Sequence, residues 1–197
     1  MITGDRDSFF SKTKQNEKYI KILTGSDILK YGNLEPNEYV LFEKPKSAGG
    51  CWDREMHLAP FKICIRQIGS EPTATIVQQP YAVTGNIFTV LHDDLRFLKY
   101  LLGVINSKFI KYFWKIVFHD FKTTFPQVTI NSLNSIPIIL DKIEVKEEII
   151  NYVSLILELD ENDNQILVLQ DQIDQLVYQL YELTEEEIRI IEGINED

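Results

Sequence analysis

The spacing of apolar residues changes its period near residue 94. Upstream, residues 61–66 (FKICIR) alternate strictly between apolar and other side chains, which is typical of a strand. Downstream, Leu95, Leu98, Leu102 and Ile105 recur at steps of three or four, which is typical of a helix. A chain with both periods must cover a sheet face with helices, so we predict an α+β fold.

Four strand-like runs precede the change of period, and turn residues separate them. The runs are EYVLFE (38–43), FKICIRQI (61–68), TATIVQ (73–78) and NIFTVL (86–91). We predict that they form a small mixed or antiparallel β-sheet. A basic helix should then begin near Asp94 and fade near His119, because Pro126 and Pro137 interrupt the segment that follows.

The C-terminal part predicts an acidic helical hairpin. Residues 145–159 and 165–183 both have apolar helical spacing, with a polar connector at 160–164. Thr184 and Glu187 form a capping-box pattern, so a last short helix should span 185–193. We therefore predict two domains, a recognition domain at 1–140 and a C-terminal helical scaffold at 141–197 packed on it.

Charge is divided unevenly between these two parts. The net charge is −10, but residues 1–140 hold 17 Lys and Arg against 13 Asp and Glu (+4), whereas residues 141–197 hold 3 against 17 (−14). The window 96–122 has six basic residues against Asp120 alone. Since phosphate neutralisation supplies most non-specific DNA affinity, we expect the first part to face DNA. We also expect screening to separate this basic patch from a distant acidic tail.

Several classes of protein are disfavoured by what the sequence lacks. No apolar run reaches the ~18 residues that cross a bilayer, and the N-terminus has no signal-peptide order, so we predict a cytoplasmic protein without a membrane partner. Cys51 and Cys64 are expected to be reduced thiols. The three histidines are isolated, which disfavours a metal site. No nucleophile with a base and no pair of carboxylates stands out, so we predict no catalytic residue in this chain.

The C-terminal residues have a sequence pattern that also occurs in a known protein family. Residues 171–192 read DQIDQLVYQLYELTEEEIRIIE, and four upstream segments occur in a matching order: 21–32 (KILTGSDILKYG), 61–69 (FKICIRQIG), 101–108 (LLGVINSK) and 133–138 (LNSIPI). Together they resemble the TaqI-like C-terminal specificity domain of bacterial adenine-N6 DNA methyltransferases and fused restriction-modification enzymes. In segment 61–69 the proline stands one place earlier, at Pro60, than in that family.

The resemblance implies a role in site-specific DNA methylation and bacterial defence. Members of these enzyme families carry an Asn-Pro-Pro-Tyr motif and a Gly-rich loop for S-adenosylmethionine, and this sequence has neither. We therefore expect this chain to bind no cofactor and to position double-stranded DNA for a methyltransferase catalytic domain, in cis or in trans, that binds S-adenosylmethionine. Asn106 and Ser107 match a family marker, for which we expect a structural hydrogen bond.

Candidate DNA contacts come from four segments, and each has a simpler alternative reading. Lys62 and Arg66 should project from one face of their strand, where they could contact DNA. The alternative is that this face is merely exposed to solvent. The lysines of the basic helix should form a phosphate-binding ridge, or serve only solubility. The loop at 44–54 should place Trp52 on sugar or base, or fold it inward. The side-chain amides at 78–79 can form two hydrogen bonds with adenine, but amides in turns more often bond to nearby backbone groups. The complete set is Lys44, Lys46, Trp52, Arg54, Lys62, Arg66, Gln78, Gln79, Lys108, Lys111, Lys115 and Lys122.

A different function remains open from the sequence. The helix at 165–183 is also typical of a protein-interaction or dimerisation module, in which the basic patch would be incidental. In that reading the C-terminal helices would join copies of the chain into a homo-oligomer without direct DNA contact.

Overall fold

The computed structural model describes residues 5–44, 46, 49–118, 126–160 and 162–194. Within these residues, the N-terminal half contains two short helices, a 3₁₀ turn at Gly25–Asp27 and nine strands: α1 (Arg6–Phe9), β1 (Phe10–Ser11), β2 (Tyr19–Leu23), β3 (Ile28–Leu29), β4 (Gly32–Asn33), β5 (Tyr39–Leu41), α2 (Arg54–His57), β6 (Lys62–Arg66), β7 (Ala74–Val77), β8 (Ala82–Val83) and β9 (Ile87–Val90). In the described part of the other half there are six helices: α3 (Leu95–Ile105), α4 (Lys108–Val117), α5 (Ile130–Asn134), α6 (Ile143–Glu158), α7 (Gln165–Leu180) and α8 (Glu185–Glu192). The α+β prediction is confirmed.

A three-stranded antiparallel sheet lies at the centre, in the order β7-β6-β9. One face, with Ile63 and Ile65, packs in the main core with the buried residues of α3 and α6. The opposite face, with Cys64 and Val77, packs in a second cluster that includes Leu23. Both faces of β6 are therefore covered by protein, unlike a sheet with one solvated face.

Two smaller sheets complete the β portion. β1, β5 and β2 pair antiparallel, and β8 joins β2 in parallel, with Ile22 opposite Ala82. β3 and β4 form a two-stranded hairpin beside β7. The strands are thus both mixed and antiparallel as predicted, but they form three sheets rather than one.

The helices pack in a layer on the central sheet. α3 contacts β7 and α6, and α6 packs along α7 as the predicted hairpin. Gly103 of α3 makes the close approach possible, because a Cβ there would lie 2.5 Å from Cγ2 of Ile149. α8 begins with the predicted capping box of Thr184 and Glu187, and Gly193 ends it in a left-handed conformation (φ 69°).

Two predicted helix boundaries were wrong. The basic helix is not continuous, because α3 ends at Ile105 and Ser107 caps a separate α4. α7 ends at Leu180 rather than residue 183, and Glu182 then adopts a left-handed φ of 56°. None of the described helices combines the length and apolar character needed to cross a membrane.

Candidate nucleic-acid interface

The start of α4 is held by carboxylates from the C-terminal helices. The backbone N–H of Lys108 donates to Oδ1 of the buried Asp174 at 2.8 Å. The Lys108 amine lies 3.0 Å from Asp171, 3.1 Å from Glu192 and 3.8 Å from the second oxygen of Asp174. We call these four residues the Lys108 clasp. Because a helix N-terminus carries unsatisfied N–H groups and a partial positive charge, Asp174 is well placed there.

The clasp connects two of the family segments, because Lys108 is the last residue of LLGVINSK and its three carboxylate partners belong to the tail pattern at 171–192. Burial raises the pKa of Asp174, although the Lys108 backbone N–H and the nearby lysines act in the opposite direction. Tyr178 donates its hydroxyl to Glu192 at 2.8 Å, and Tyr181 donates to the backbone oxygen of Pro137. The polar residues of the tail pattern thus fasten α7 and α8 to the rest of the domain.

Asn106 and Ser107 form the joint between α3 and α4. The Asn106 side chain accepts from the backbone N–H of Ala74 at 3.1 Å and donates to its carbonyl oxygen at 2.9 Å. The Ser107 hydroxyl accepts from the Ile110 N–H and donates to the Val104 oxygen. The expected structural hydrogen bond is confirmed, and it fixes the helix joint to β7.

The lysines of α4 do not form an independent basic patch. Lys108 lies in the clasp, and Lys111 forms a 2.9 Å ion pair with Glu71. Lys115 is exposed on the same helix, whereas Lys122 lies outside the described residues. The expectation that the acidic tail stays distant is therefore wrong, because three of its carboxylates reach Lys108.

Sequence reasoning missed a cation beside this helix. Lys30, at the β3–β4 turn, is exposed and lies near enough to Lys108, Lys111 and Asp174 for their charges to interact. In the sequence, the only indication that Lys30 matters was its position in the family segment at 21–32 (KILTGSDILKYG). Lys30, Lys108 and Lys111 together form what we call the α4 cation group.

Lys62 occupies a different position from the one predicted. The side chain is fully buried, and its amine donates to the backbone oxygen of His57 at 2.8 Å. Burial lowers the pKa of Lys62. The expectation that it projects from a solvated face is wrong because the second apolar cluster covers that face. From this position its amine cannot reach a phosphate or a base edge.

Arg66, at the other end of β6, is only half-buried. Its Nε is buried and has no hydrogen-bond partner within the described part of the chain. The guanidinium lies beside Gly69 of the β6–β7 turn, where a Cβ would be 3.3 Å from it. The structure therefore leaves Arg66 at the surface near the turn that carries Glu71.

The basic loop lies at the start of β6. Lys44, Lys46 and Arg54 are exposed. Trp52 donates its indole N–H to the Gly49 oxygen at 3.0 Å and packs edge-on against Phe42, with ring centroids 5.9 Å apart. These contacts favour the inward, anchoring alternative for Trp52, while the three cations stay accessible.

Gln78 and Gln79 follow β7 and are both exposed. They line a cleft of about 580 Å³ between the β3–β4 hairpin and the tip of the α6–α7 hairpin. The candidate contacts thus fall into three places: the basic loop, the α4 cation group with Lys115 and Arg66, and this cleft. Among the described residues, no three His, Cys, Asp or Glu side chains come together as metal ligands.

The comparisons with known proteins agree with this architecture. The family model described as the TaqI-like C-terminal specificity domain matches residues 20–138, which is more than half of the chain. The chain belongs to the TaqI-like specificity domain family. This specificity domain has no significant match among curated protein sequences.

A solved structure shares the fold of the specificity domain. It is the Type IIL restriction-modification enzyme MmeI in complex with DNA, with a TM-score of 0.63 and 9% sequence identity. The match covers 93% of this chain and 32% of that chain. The specificity domain therefore spans about a third of the length of the solved chain, and the likeness establishes a shared fold.

Proposed function

We propose that this chain recognises a specific duplex DNA sequence for a site-specific adenine-N6 DNA methyltransferase or restriction-modification enzyme. The observation that carries the proposal is membership of the specificity-domain family over residues 20–138. The likeness to an enzyme solved with DNA supports the same reading. Phosphate contacts would set the register of the duplex, and loop side chains would read the bases.

The distribution of exposed cations supports this role. α2 follows the basic loop and ends at His57, whose backbone oxygen accepts from the Lys62 amine at the start of β6. Lys44, Lys46 and Arg54 are exposed, and none of them forms an ion pair with another described residue, so they are available to phosphates.

Catalysis would occur on another domain. That domain would bind S-adenosylmethionine and methylate adenine at N6 after the base is flipped out of the duplex. In this proposal residues 1–140 recognise DNA in the cytoplasm, and residues 141–197 act as a scaffold. The Lys108 clasp and the packing of α6 on α3 support the scaffold role.

The salt dependence of duplex binding tests the proposal. We expect the affinity of wild type for random duplexes to fall steeply with salt, and the Lys44, Lys46 and Arg54 triple alanine variant to bind more weakly. Each lost phosphate contact should reduce the slope of log K against log salt by about 0.9.

The matched control replaces Lys12, Lys14 and Lys18, which also are three exposed cations but pair with Glu38, Glu17 and Glu43. We expect the control to bind like wild type. Equal losses in the two triple variants would mean that only overall charge matters, and would contradict the assignment of the basic loop.

A second candidate function has its own observation. Leu155, Leu167 and Val168, near the tip of the α6–α7 hairpin, are 49%, 66% and 61% exposed. An exposed apolar group of this kind favours a protein-interaction surface, including a homo-oligomer through the C-terminal helices. Light scattering after gel filtration would detect such an oligomer, and Leu167→Glu should dissociate it.

A further inference from the structure

The cleft beside β7 is lined by a concentration of carboxamides. Six of its lining residues are Asn or Gln, contributed by the β3–β4 hairpin, the segment after β7 and the α6–α7 tip: Asn33, Gln78, Gln79, Asn162, Asn164 and Gln170. The Asn33 amide donates to the Leu34 oxygen. The other five side chains hydrogen-bond to no group in the described part of the protein. The cleft therefore offers paired donors and acceptors that the protein itself does not use.

Two further residues of the cleft are under-satisfied or strained. The Thr75 hydroxyl is fully buried and has no hydrogen-bond partner within the described chain. A buried hydroxyl without a partner costs free energy, which a bound ligand would recover. Tyr31 adopts φ 61°, a left-handed conformation that bulky residues rarely take. Strained backbone of this kind concentrates at ligand sites.

Charge and shape narrow the class of ligand. Only Lys30 and Asp163 are charged among the described residues that line the cleft, so an anion such as phosphate has little to bind there. A concave cleft cannot enter a DNA groove to read stacked bases. It can accept an uncharged, flat group with several hydrogen-bonding positions. A base that has left the stack meets these requirements.

The surroundings supply the remaining contacts that such a base needs. Leu157, Ile166 and Leu167 line the cleft and offer apolar surface for the faces of a ring. Lys30 lines the cleft and is exposed, so its amine can contact the phosphate attached to such a base. Carboxamides pair in a bidentate manner with N6 and N7 of adenine, whereas guanine presents two acceptors on the same edge.

We propose that this cleft binds an unpaired adenine base. The site deepens the proposed function and rests on it for its role: besides the adenine that is methylated on the catalytic domain, the specificity domain would hold an adenine displaced from the duplex. Thr75 and the carboxamides of Gln78 and Gln170 supply the hydrogen bonds in this assignment.

Titration of the full chain with free nucleosides, followed by amide NMR, tests the assignment. Deoxyadenosine should shift resonances of the cleft residues and bind more tightly than thymidine or deoxycytidine. Loss of one bidentate carboxamide should weaken deoxyadenosine binding roughly tenfold, so Gln78→Ala and Gln170→Ala should each have this effect. Thr75→Val keeps the side-chain volume and should weaken binding several-fold.

The control is Gln172→Ala, which removes an exposed carboxamide from the same helix outside the cleft and should bind deoxyadenosine like wild type. Thermal melting of every variant identifies any loss of folding, and the near-isosteric Thr75→Val keeps the test valid if another variant unfolds. Absence of shifts at about 10 mM nucleoside, shifts located elsewhere, or equal binding of thymidine would overturn the assignment.

The same preparations distinguish failure of the site from failure of the proposed function. A wild type that binds duplex DNA but no deoxyadenosine would overturn the cleft assignment alone. A wild type that binds deoxyadenosine in the cleft but no duplex would overturn the proposed function and leave the nucleobase site standing.

Discussion

Removal of the Asp174 carboxylate should destabilise the domain through the start of α4. Asp174 is 2% exposed and accepts from the Lys108 backbone N–H, and a hydrogen bond to a charged group is worth about 1.5–3 kcal/mol. The carboxylate also lies at a helix N-terminus, which adds about 0.3–1 kcal/mol. Burial acts against the charged form and raises the pKa of Asp174, so the main cost of removing this side chain is that the partly buried Lys108 N–H loses its acceptor. We therefore expect Asp174→Ala to lower the free energy of unfolding by about 2 kcal/mol.

Urea denaturation measures this loss, and thermal melting should show a decrease of roughly 4–8 °C in Tm for a domain of this size. Asp171→Ala is the matched control, because Asp171 contacts the same lysine from the same helix but is 64% exposed. An exposed ion pair of this kind should cost at most about 1 kcal/mol. Asp174→Asn retains an acceptor and should cost less than the alanine variant. If Asp174→Ala were no more destabilising than Asp171→Ala, the proposed role of the clasp would be refuted.

Three further predictions concern buried positions. Burial lowers the pKa of Lys62, so the unfolded chain binds the proton more tightly than the folded chain. The stability of wild type relative to Lys62→Met should therefore rise as pH increases from 7 toward the unfolded pKa of about 10.4. Parallel urea titrations at several pH values check this, and a flat difference would count against it. The DNA affinity of Lys62→Met should equal that of wild type. Gly103→Ala should cost about 1–3 kcal/mol by urea denaturation, because its Cβ would meet Ile149. Asn106→Ala should cost about 2–3 kcal/mol by the same assay, because both its bonds to Ala74 are lost.

The strands predicted from the sequence are those with a long local pattern. β5, β6, β7 and β9 lie within the four predicted runs. The other strands have two residues each, apart from β2, and the parallel pairing of β2 with β8 joins segments about sixty positions apart. Local periodicity carries no information about such pairing, because partners far apart in sequence contribute it.

The errors at functional positions have two physical causes. Lys62 was assigned to a solvated face because alternation on β6 suggested one, but a second apolar layer covers that face. Lys108 was assigned to an open phosphate ridge because charge was counted segment by segment. The tail folds back and brings three carboxylates to that lysine. By contrast, the capping box at Thr184 depends only on residues three positions apart, and it was predicted correctly.

Sequencing of the duplexes that the domain retains from a random pool would show whether it recognises a specific DNA sequence. We expect wild type to enrich one short sequence motif over several rounds at moderate salt, and the Lys44, Lys46 and Arg54 triple variant to retain less DNA. Retention of duplexes without any enriched motif would mean that the chain binds the DNA backbone alone, and would contradict its role as a target-recognition domain.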